Sequence, residues 1–296
     1  MIAMPSSSPP EWFEWALSRA CQSHFVETSG ARIHYVGWND HEVEKPALLF
    51  AHGFLGHARW WDFIAPFLAD QFRVFALDFS GMGRSAARPA YPQGCFEDDL
   101  AAVMAAIRID ARPVTLVGHS FGGTRCLHVC LRQPEAVARA VVLDSFVRFE
   151  ADRLPEITYR TPPRPTATPQ ETLARFRLLP PQACLAYTLD HIARHSVCER
   201  EGGWTWCFDP ALREIESPGF EPLALSRLSV PVDYVHAQAS AVVSAERALR
   251  IAEALPRCRG PVTMPHTGHH MMLDQPLALV SLLRALLAPS RGLATT

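Results

Sequence analysis

The sequence predicts an α/β fold in which helices cover both faces of a parallel β-sheet. Short, continuously apolar runs such as Pro46–Ala51 are typical of strands that are buried on both faces. These runs alternate with helical segments over most of the chain, and such alternation is typical of parallel sheets. With 296 residues, of which 48% are hydrophobic, the chain is long enough for one such domain with an insertion.

The order of the elements follows from these patterns. Ser23–Trp38 is predicted to form a hairpin, because β-forming residues flank the turn residues Ser29 and Gly30. Further strands are expected at the apolar runs Pro46–Ala51, Phe72–Leu77, Val114–Val117, Ala140–Leu143, Val230–Val235 and Pro261–Met264. Helices are expected at Asp98–Ile109, Gly123–Arg132, Ala245–Leu255 and Pro276–Ala288.

The alternation stops between Phe146 and about Leu225. This stretch is rich in proline and contains only fragments of helical pattern, so we expect an insertion that is helical in part. The predicted organisation is one discontinuous core domain over residues 20–146 and 226–290. The other two predicted parts of the chain are an inserted cap over residues 147–225 and an N-terminal extension over residues 1–19.

Composition excludes several classes of function. A net charge of -2 gives no electrostatic attraction for nucleic acid or an anionic membrane surface. The first ten residues lack the basic and apolar regions of a secretory signal, and the apolar stretch Pro276–Pro289 is too short to span a bilayer. Eight scattered cysteines form no CxxC pair, so no zinc site is expected. Reduced thiols are expected because a secretory signal is not recognised. We expect a soluble, cytoplasmic protein that acts on a small molecule; its oligomeric state stays open.

The motif Gly118-His119-Ser120-Phe121-Gly122 predicts a nucleophilic serine. It follows the predicted strand Val114–Val117 and directly precedes a predicted helix, which is the context of a nucleophile elbow. The strained turn needs small flanking residues, and the helix N-terminus favours a developing anion. The alternative, a glycine-rich turn that happens to hold a serine, is disfavoured by this strand–turn–helix context.

Acyl transfer also needs two backbone donors for the developing oxyanion. The residue after the nucleophile, Phe121, supplies one N–H group by the geometry of the elbow. We expect Phe54 to supply the second, because it ends the motif His52-Gly53-Phe54 in the loop after the strand Pro46–Ala51. The predicted oxyanion hole is therefore formed by Phe54 and Phe121.

The general base is expected among three histidines after the last strand, His266, His269 and His270. His269 is favoured over His270 because it follows Gly268 in a loop that leads into the final helix. That all three are ordinary loop histidines is disfavoured by the elbow upstream. A metal site formed by the three is not expected, because no acidic or cysteine partner stands at ligand spacing.

A serine–histidine pair also needs an acid that orients the histidine and completes a catalytic triad. The position of this acid is less obvious. The commonest position is the turn after Val230–Val235, but His236–Ala241 contains no carboxylate. Asp233 lies inside the strand and should not reach the site. Asp144 follows Ala140–Leu143 at the same edge of the sheet, where it could fix the tautomer of the histidine. The alternative for Asp144 is a capping residue at a strand end. Asp78 is disfavoured because it precedes a turn that typically stabilises its own loop.

These motifs together resemble the α/β-hydrolase superfamily, from about Val26 to Leu287 outside the insertion. The resemblance rests on His52-Gly53-Phe54, on Asp78 with Gly81-Met82-Gly83-Arg84-Ser85, on the elbow Gly118–Gly123, and on Gly268-His269. It implies an eight-stranded, mostly parallel sheet with a helical cap over its carboxyl edge. It also implies that four tryptophans line the substrate pocket, namely Trp60, Trp61, Trp204 and Trp206. The alternative is that they pack within the protein.

Two further segments, Gly202–Pro210 and Gly268–Pro276, resemble the serine hydrolase-like branch of the superfamily, which is of esterase or lipase type. In such proteins the acid often occupies the position of Asp144. The resemblance therefore implies a triad of Ser120, His269 and Asp144.

The expected activity is hydrolysis of a carboxylic ester of a small or medium-sized substrate through an acyl-enzyme, without a metal or organic cofactor. A serine at position 120 argues against haloalkane dehalogenase or epoxide hydrolase activity, which in this superfamily use an aspartate there. Three alternatives stay open: hydrolysis of a carbon–carbon bond in a β-diketone-like compound, a cofactor-free perhydrolase, and a catalytically silent binding protein.

Overall fold

A computed structural model describes residues 8–150, 152, 164–215 and 223–288 of the chain. Within these ranges the strands are β1 Gln22–Thr28, β2 Ala31–Trp38, β3 Ala47–Ala51, β4 Arg73–Leu77, β5 Val114–His119, β6 Val137–Leu143, β7 Val197–Arg200, β8 Gly203–Trp206, β9 Val232–Ala237 and β10 Cys258–Met264. The helices are α1 Glu11–Ser18, α2 Cys95–Ile107, α3 Phe121–Arg132, α4 Pro169–Leu173, α5 Ala186–His195, α6 Ala245–Ala254, α7 Met271–Asp274 and α8 Pro276–Leu287.

Eight strands form one sheet in the order β1-β2-β4-β3-β5-β6-β9-β10. The β1–β2 and β2–β4 pairs are antiparallel, and every pair from β4 onward is parallel. β5 lies at the centre, between β3 and β6. Because parallel strands end at the same edge, the loops after β3, β5, β6 and β9 lie close together.

The sheet is covered on both faces. Leu48 and Leu49 of β3 are both fully buried, but they belong to two different hydrophobic cores because successive side chains point to opposite faces. One core includes residues of α2, α3 and α6, such as Leu127. The other includes α8 and α1, such as Leu283 and Phe13. This two-sided burial explains why the strand sequences are continuously apolar.

The fold class predicted from the sequence is confirmed, and each predicted strand and helix of the core has its counterpart. The two four-residue strands β7 and β8 were not expected, because the insertion was predicted only as helical in part. They pair as an antiparallel hairpin. Gly202 in its turn and Gly203 at the start of β8 have φ 90° and 122°, a backbone conformation that favours glycine. Helix α1, in the predicted N-terminal extension, was not expected either. Within the described ranges no helix is both long and apolar enough to cross a membrane.

Candidate active site

Ser120 lies in the turn between β5 and α3, with φ 52° and ψ −118°. This conformation is costly for a residue with a side chain, and it is held by close packing on both sides. A Cβ atom on Gly118 would lie 2.6 Å from the carbonyl oxygen of Gly122, and one on Gly122 would lie 2.5 Å from that of Ala51. Glycine is therefore required at both positions, as the elbow motif predicts.

The structure brings together the three residues of the predicted triad. Ser120 Oγ lies 3.0 Å from His269 Nε2, and His269 Nδ1 lies 2.7 Å from Asp144 Oδ2. Asp144 is fully buried and His269 is 4% exposed, whereas Ser120 is half-buried. With its Nδ1–H donating to the carboxylate, the ring of His269 leaves the Nε2 lone pair for the serine hydroxyl.

Asp144 follows β6 directly and adopts a φ of 43°. Its Oδ1 accepts a hydrogen bond from the Ala237 N–H at 3.0 Å, and its Oδ2 accepts one from Ser240 Oγ at 2.5 Å. A buried carboxylate needs such donors, because burial without them is costly. Ser240 was not predicted as part of the site, although its position gave a signal. It lies in the turn after β9, where the sequence was expected to hold the carboxylate and has none.

The other two carboxylates considered as the acid of the triad, Asp78 and Asp233, form contacts outside the triad. Asp78 accepts hydrogen bonds from the backbone N–H groups of Ala58 at 2.6 Å and Arg84 at 2.9 Å, so it ties two loops together. Asp233, inside β9, pairs with Arg259. Their contacts agree with the expectation that neither serves as the acid.

Two further histidines surround His269. The ring of His270 lies 4.9 Å from that of His269, and burial together with the neighbouring His269 lowers the pKa of His270 to about 3. His119 Nε2 donates to the carbonyl oxygen of His269 at 2.9 Å, and burial lowers the pKa of His119 well below its ordinary value. His119 therefore supports the backbone of the His269 loop as a neutral ring. His266 is exposed.

The two predicted oxyanion donors flank Ser120. Phe121 is the first residue of α3, so its N–H group has no acceptor within the helix. Phe54 packs its ring 5.3 Å from that of Phe121. A Cβ atom on Gly53 would lie 3.6 Å from Ser120 Cβ, so this loop passes close to the serine. That Phe54 and Phe121 stabilise an oxyanion stays a prediction.

Trp60 and Trp61 differ in their surroundings. Trp61 has no exposed surface and stacks on Phe50 of β3 with ring centroids 4.4 Å apart, so it packs in the core. Trp60 is 8% exposed and its ring lies 5.3 Å from that of His270. Trp60 is therefore the one of the pair that borders the candidate site.

Trp204 and Trp206 are half-buried in β8. Trp206 packs near Phe176, with ring centroids 5.9 Å apart, and the backbone of Trp204 pairs with Thr166. Both contacts lie inside the insertion. Their role as walls of a substrate pocket stays a prediction.

The sequence model of the alpha/beta hydrolase family matches residues 48–282 of the chain. This chain belongs to the alpha/beta hydrolase family. The resemblance that the motifs indicated is thereby confirmed.

The chain is similar to several curated proteins over its shared core. It is 30% identical over 142 residues to a serine hydrolase-like protein of Dictyostelium discoideum. The aligned residues cover 47% of this chain and 39% of that protein. It is 32% identical over 111 residues to lipase LipV of Mycobacterium tuberculosis, and the aligned residues cover 37% of this chain and 41% of the lipase. The chain thus spans only about two fifths of the length of these relatives.

Similar solved structures cover nearly the whole chain. A thioesterase domain from the curacin biosynthetic pathway has a TM-score of 0.75, with 22% identity and coverage of 90% of this chain and 99% of the other. Carboxylesterase CesB from Bacillus subtilis has a TM-score of 0.66, with 20% identity and coverage of 94% and 97%. At these identities the likeness shows the shared fold.

In this alpha/beta hydrolase, a side chain of the insertion braces the loop that carries His269. Gln182 Oε1 accepts a hydrogen bond from the His270 N–H at 2.7 Å, and its Nε2 lies 3.3 Å from the carbonyl oxygen of the same residue. Gln182 Nε2 also lies 3.3 Å from Asp274 Oδ2, which accepts a bond from the Gly268 N–H at 2.7 Å. Burial raises the pKa of Asp274 to about 6. Gln182 could not be predicted from the sequence, because it belongs to no recognisable motif.

Proposed function

We propose that this protein is a serine hydrolase that cleaves a carboxylic ester of a small or medium-sized substrate. The observation that carries the proposal is the chain of contacts from Ser120 Oγ to His269 Nε2 at 3.0 Å and from His269 Nδ1 to Asp144 Oδ2 at 2.7 Å. This is the arrangement that general-base activation of a serine requires. Ser120 is half-buried, so part of the residue is exposed at the surface.

In the proposed mechanism, His269 Nε2 takes the proton of Ser120 as Oγ attacks the ester carbonyl. The backbone N–H groups of Phe54 and Phe121 stabilise the oxyanion. His269 then protonates the leaving alcohol, and the acyl group stays on Ser120. A water molecule, deprotonated by His269, attacks the acyl-enzyme, and the bond between the acyl carbon and Ser120 Oγ breaks. His269 returns the proton to Oγ, which releases the acid and restores the free enzyme. Asp144 stabilises the imidazolium in both steps and keeps the ring in the required tautomer.

Two comparisons support an ester over other substrates of the same triad. The name of LipV describes a lipase and that of CesB a carboxylesterase. The loop that carries Phe54 adds a physical argument, because it passes close to Ser120 at Gly53 and the Phe54 ring packs on that of Phe121, and an apolar side chain in this loop suits an uncharged acyl group.

The insertion, in this proposal, acts as a cap over the site. Its Gln182 contacts the backbone of His270, and its His191 contacts Asp62, just past the 3₁₀ helix Ala58–Trp61. Residues 147–225 then limit which acyl groups reach Ser120, and residues 20–146 and 226–290 form the core that holds the triad.

The proposal is tested by treating the purified protein with a fluorophosphonate and reading its intact mass. The variants are Ser120→Ala and Asp144→Asn, and Ser244→Ala serves as the control because Ser244 is exposed and caps α6. We expect one adduct on the wild type and on Ser244→Ala, none on Ser120→Ala, and slow labelling of Asp144→Asn. A panel of p-nitrophenyl esters of increasing acyl length then reports the substrate class.

The other outcomes are equally informative. A wild type that takes no adduct and turns over no ester is a silent binding protein, and the proposal fails. An adduct without ester turnover favours the carbon–carbon hydrolase. Labelling of Asp144→Asn at the wild-type rate leaves Ser120 as the nucleophile but removes Asp144 from the triad.

A further inference from the structure

A second group of imidazole and carboxylate side chains lies where the insertion packs on the core. Asp62 follows the 3₁₀ helix Ala58–Trp61, and His191 and His195 lie on α5. Each of the three offers one ligand atom, and these atoms all lie within 4.8 Å of one another. None of the three belongs to the proposed triad or to its hydrogen-bond partners.

The spacing of these groups suits a metal ion. His191 and His195 are four residues apart on α5, so their rings lie on the same face of the helix, with centroids 4.4 Å apart. His191 Nε2 lies 3.0 Å from Asp62 Oδ2. In a tetrahedral site with metal–ligand bonds of about 2.0–2.2 Å, neighbouring ligand atoms are about 3.3 Å apart. Small side-chain movements therefore bring the three groups to ligand distance.

The hydrogen bonds of His195 favour the ligating tautomer. Its Nδ1–H donates to the backbone carbonyl of His191 at 2.9 Å, which leaves the Nε2 lone pair available. A ligating histidine almost always donates its second ring nitrogen in this way.

The cluster is open to solvent on one side. Asp62 is 7% exposed, His191 is half-buried and His195 is exposed, so an ion reaches the site past His195. Arg59 Nη1 lies 3.4 Å from Asp62 Oδ1, and it leaves Oδ2 for the ion. The positive charge of Arg59 opposes cation binding, so the affinity depends on all three ligands.

We propose that Asp62, His191 and His195 bind one divalent transition-metal ion of the borderline class, such as Zn²⁺, with water as the fourth ligand. Two imidazoles and a carboxylate suit Zn²⁺, Co²⁺ or Ni²⁺ better than Mg²⁺ or Ca²⁺. Binding requires the His191 tautomer that carries its proton on Nδ1, so that Nε2 faces the ion instead of donating to Asp62 Oδ2. The sequence predicted no metal, because Asp62 and His191 are 129 positions apart.

The bound ion connects α5 of the insertion to the core segment that follows the Phe54 loop. A hydrogen bond between His57 Nε2 and Ser196 Oγ, 3.0 Å long, already joins the core to the insertion next to this cluster. The ion therefore holds the insertion in its position over the core, and it raises the melting temperature because it binds the folded protein. This effect does not depend on the chemistry of Ser120.

The test is a titration of the chelator-stripped full chain with Zn²⁺ by calorimetry and with Co²⁺ by visible absorption. We expect one equivalent to bind to the wild type, with the absorption bands of four-coordinate Co²⁺ and a rise in melting temperature. His195→Ala and Asp62→Asn should weaken binding roughly tenfold or more. His41→Ala, which removes an exposed histidine from another loop, should bind as the wild type does.

Folding of the variants is checked by their melting temperatures without metal. His195→Ala should fold normally, because its ring is exposed and its hydrogen bond goes only to the backbone of its own helix. No binding to the wild type, or unchanged binding to His195→Ala, would overturn the proposal. His119, His269 and His270 form another group within 4.8 Å. Binding that is lost in His270→Gln but kept in His195→Ala would place the ion there and equally overturn it.

Discussion

Ser240 Oγ donates a hydrogen bond of 2.5 Å to Asp144 Oδ2, the same oxygen that faces His269 Nδ1. The hydroxyl of Ser240 also accepts bonds from the N–H groups of Val242 and Val243, both at 3.0 Å. Because these two donors occupy its lone pairs, its single proton is directed to Asp144. The end of β6 thus supplies the carboxylate, and the turn after β9 supplies the group that orients it.

Replacement of Ser240 by alanine should lower kcat more than it changes KM. The substitution removes one of the donors that hold the buried carboxylate, and a hydrogen bond to a charged group contributes about 1.5–3 kcal/mol. Because only part of this loss appears in the transition state, we expect a decrease in kcat of about tenfold. Steady-state kinetics with the best ester of the panel measure it.

Ser244→Ala is the matched control for this substitution. Ser244 caps α6 through the N–H of Arg247, so its loss should lower stability by about 1 kcal/mol without lowering kcat. Equal kcat values for Ser240→Ala and the wild type would show that Asp144 needs no support from the turn after β9.

A carboxylate moved to position 240 should partly replace the one at position 144. Position 240 lies in the turn that was expected to hold the acid, and its side chain already reaches Asp144 Oδ2. We expect Asp144→Asn alone to lose most of kcat, and Asp144→Asn with Ser240→Asp to recover at least about tenfold of that loss. A double variant as slow as Asp144→Asn would mean that position 240 cannot reach His269.

The sequence predicted much of this site, because its strongest signals are local. The elbow Gly118–Gly122 requires glycine for steric reasons that any chain in this turn must satisfy. The position of Asp144 followed from the order of strands, since the ends of neighbouring parallel strands meet at one edge. Each of these two predictions needed only a segment of about ten residues and the place of that segment in the alternation of strands and helices along the chain.

What the sequence could not predict depends on pairs of residues that are distant along the chain. Gln182 and His270 are 88 positions apart, and Asp62 and His191 are 129 apart. Nothing in the local pattern of a proline-rich insertion shows which core loop it will contact. The strands β7 and β8 were missed for another reason, because four residues are too few to establish an alternation of period two.

Replacement of Gln182 by alanine should lower kcat without changing the fold of the core. The side chain contacts both the N–H and the carbonyl oxygen of His270, so its loss should let the neighbouring His269 ring move away from Ser120. We expect a decrease in kcat of roughly threefold to tenfold, equivalent to about 1 kcal/mol, with a smaller change in KM.

Gln182→Glu separates this positioning role from simple loss of packing. The carboxylate keeps the acceptor for the His270 N–H but lies beside Asp274 Oδ2, so it should raise the pKa of Asp274 further and alter the pH profile of kcat. Gln170→Ala, an exposed glutamine on α4 of the same insertion, is the control. Identical kinetics for Gln182→Ala and Gln170→Ala would contradict the role given to Gln182.

His57 should make the protein less stable in mild acid. Burial penalises the charged form of its ring and lowers the pKa of His57 to about 3, whereas in the unfolded chain it is about 6.5. Between these values the unfolded chain binds a proton that the folded protein does not. The free energy of unfolding therefore has its full value above about pH 6.5 and falls as the pH decreases, by about 1.4 kcal/mol per pH unit at most.

The variant His57→Asn keeps a polar side chain near Ser196 but does not titrate in this range. From pH 7 to pH 5, its free energy of unfolding should fall by about 2 kcal/mol less than that of the wild type. Urea unfolding at the two pH values measures this difference, and the other buried histidines contribute equally to both proteins. His41→Asn, at an exposed position, should behave as the wild type. An unchanged pH dependence in His57→Asn would show that His57 takes up a proton without unfolding, which its 3% exposure argues against.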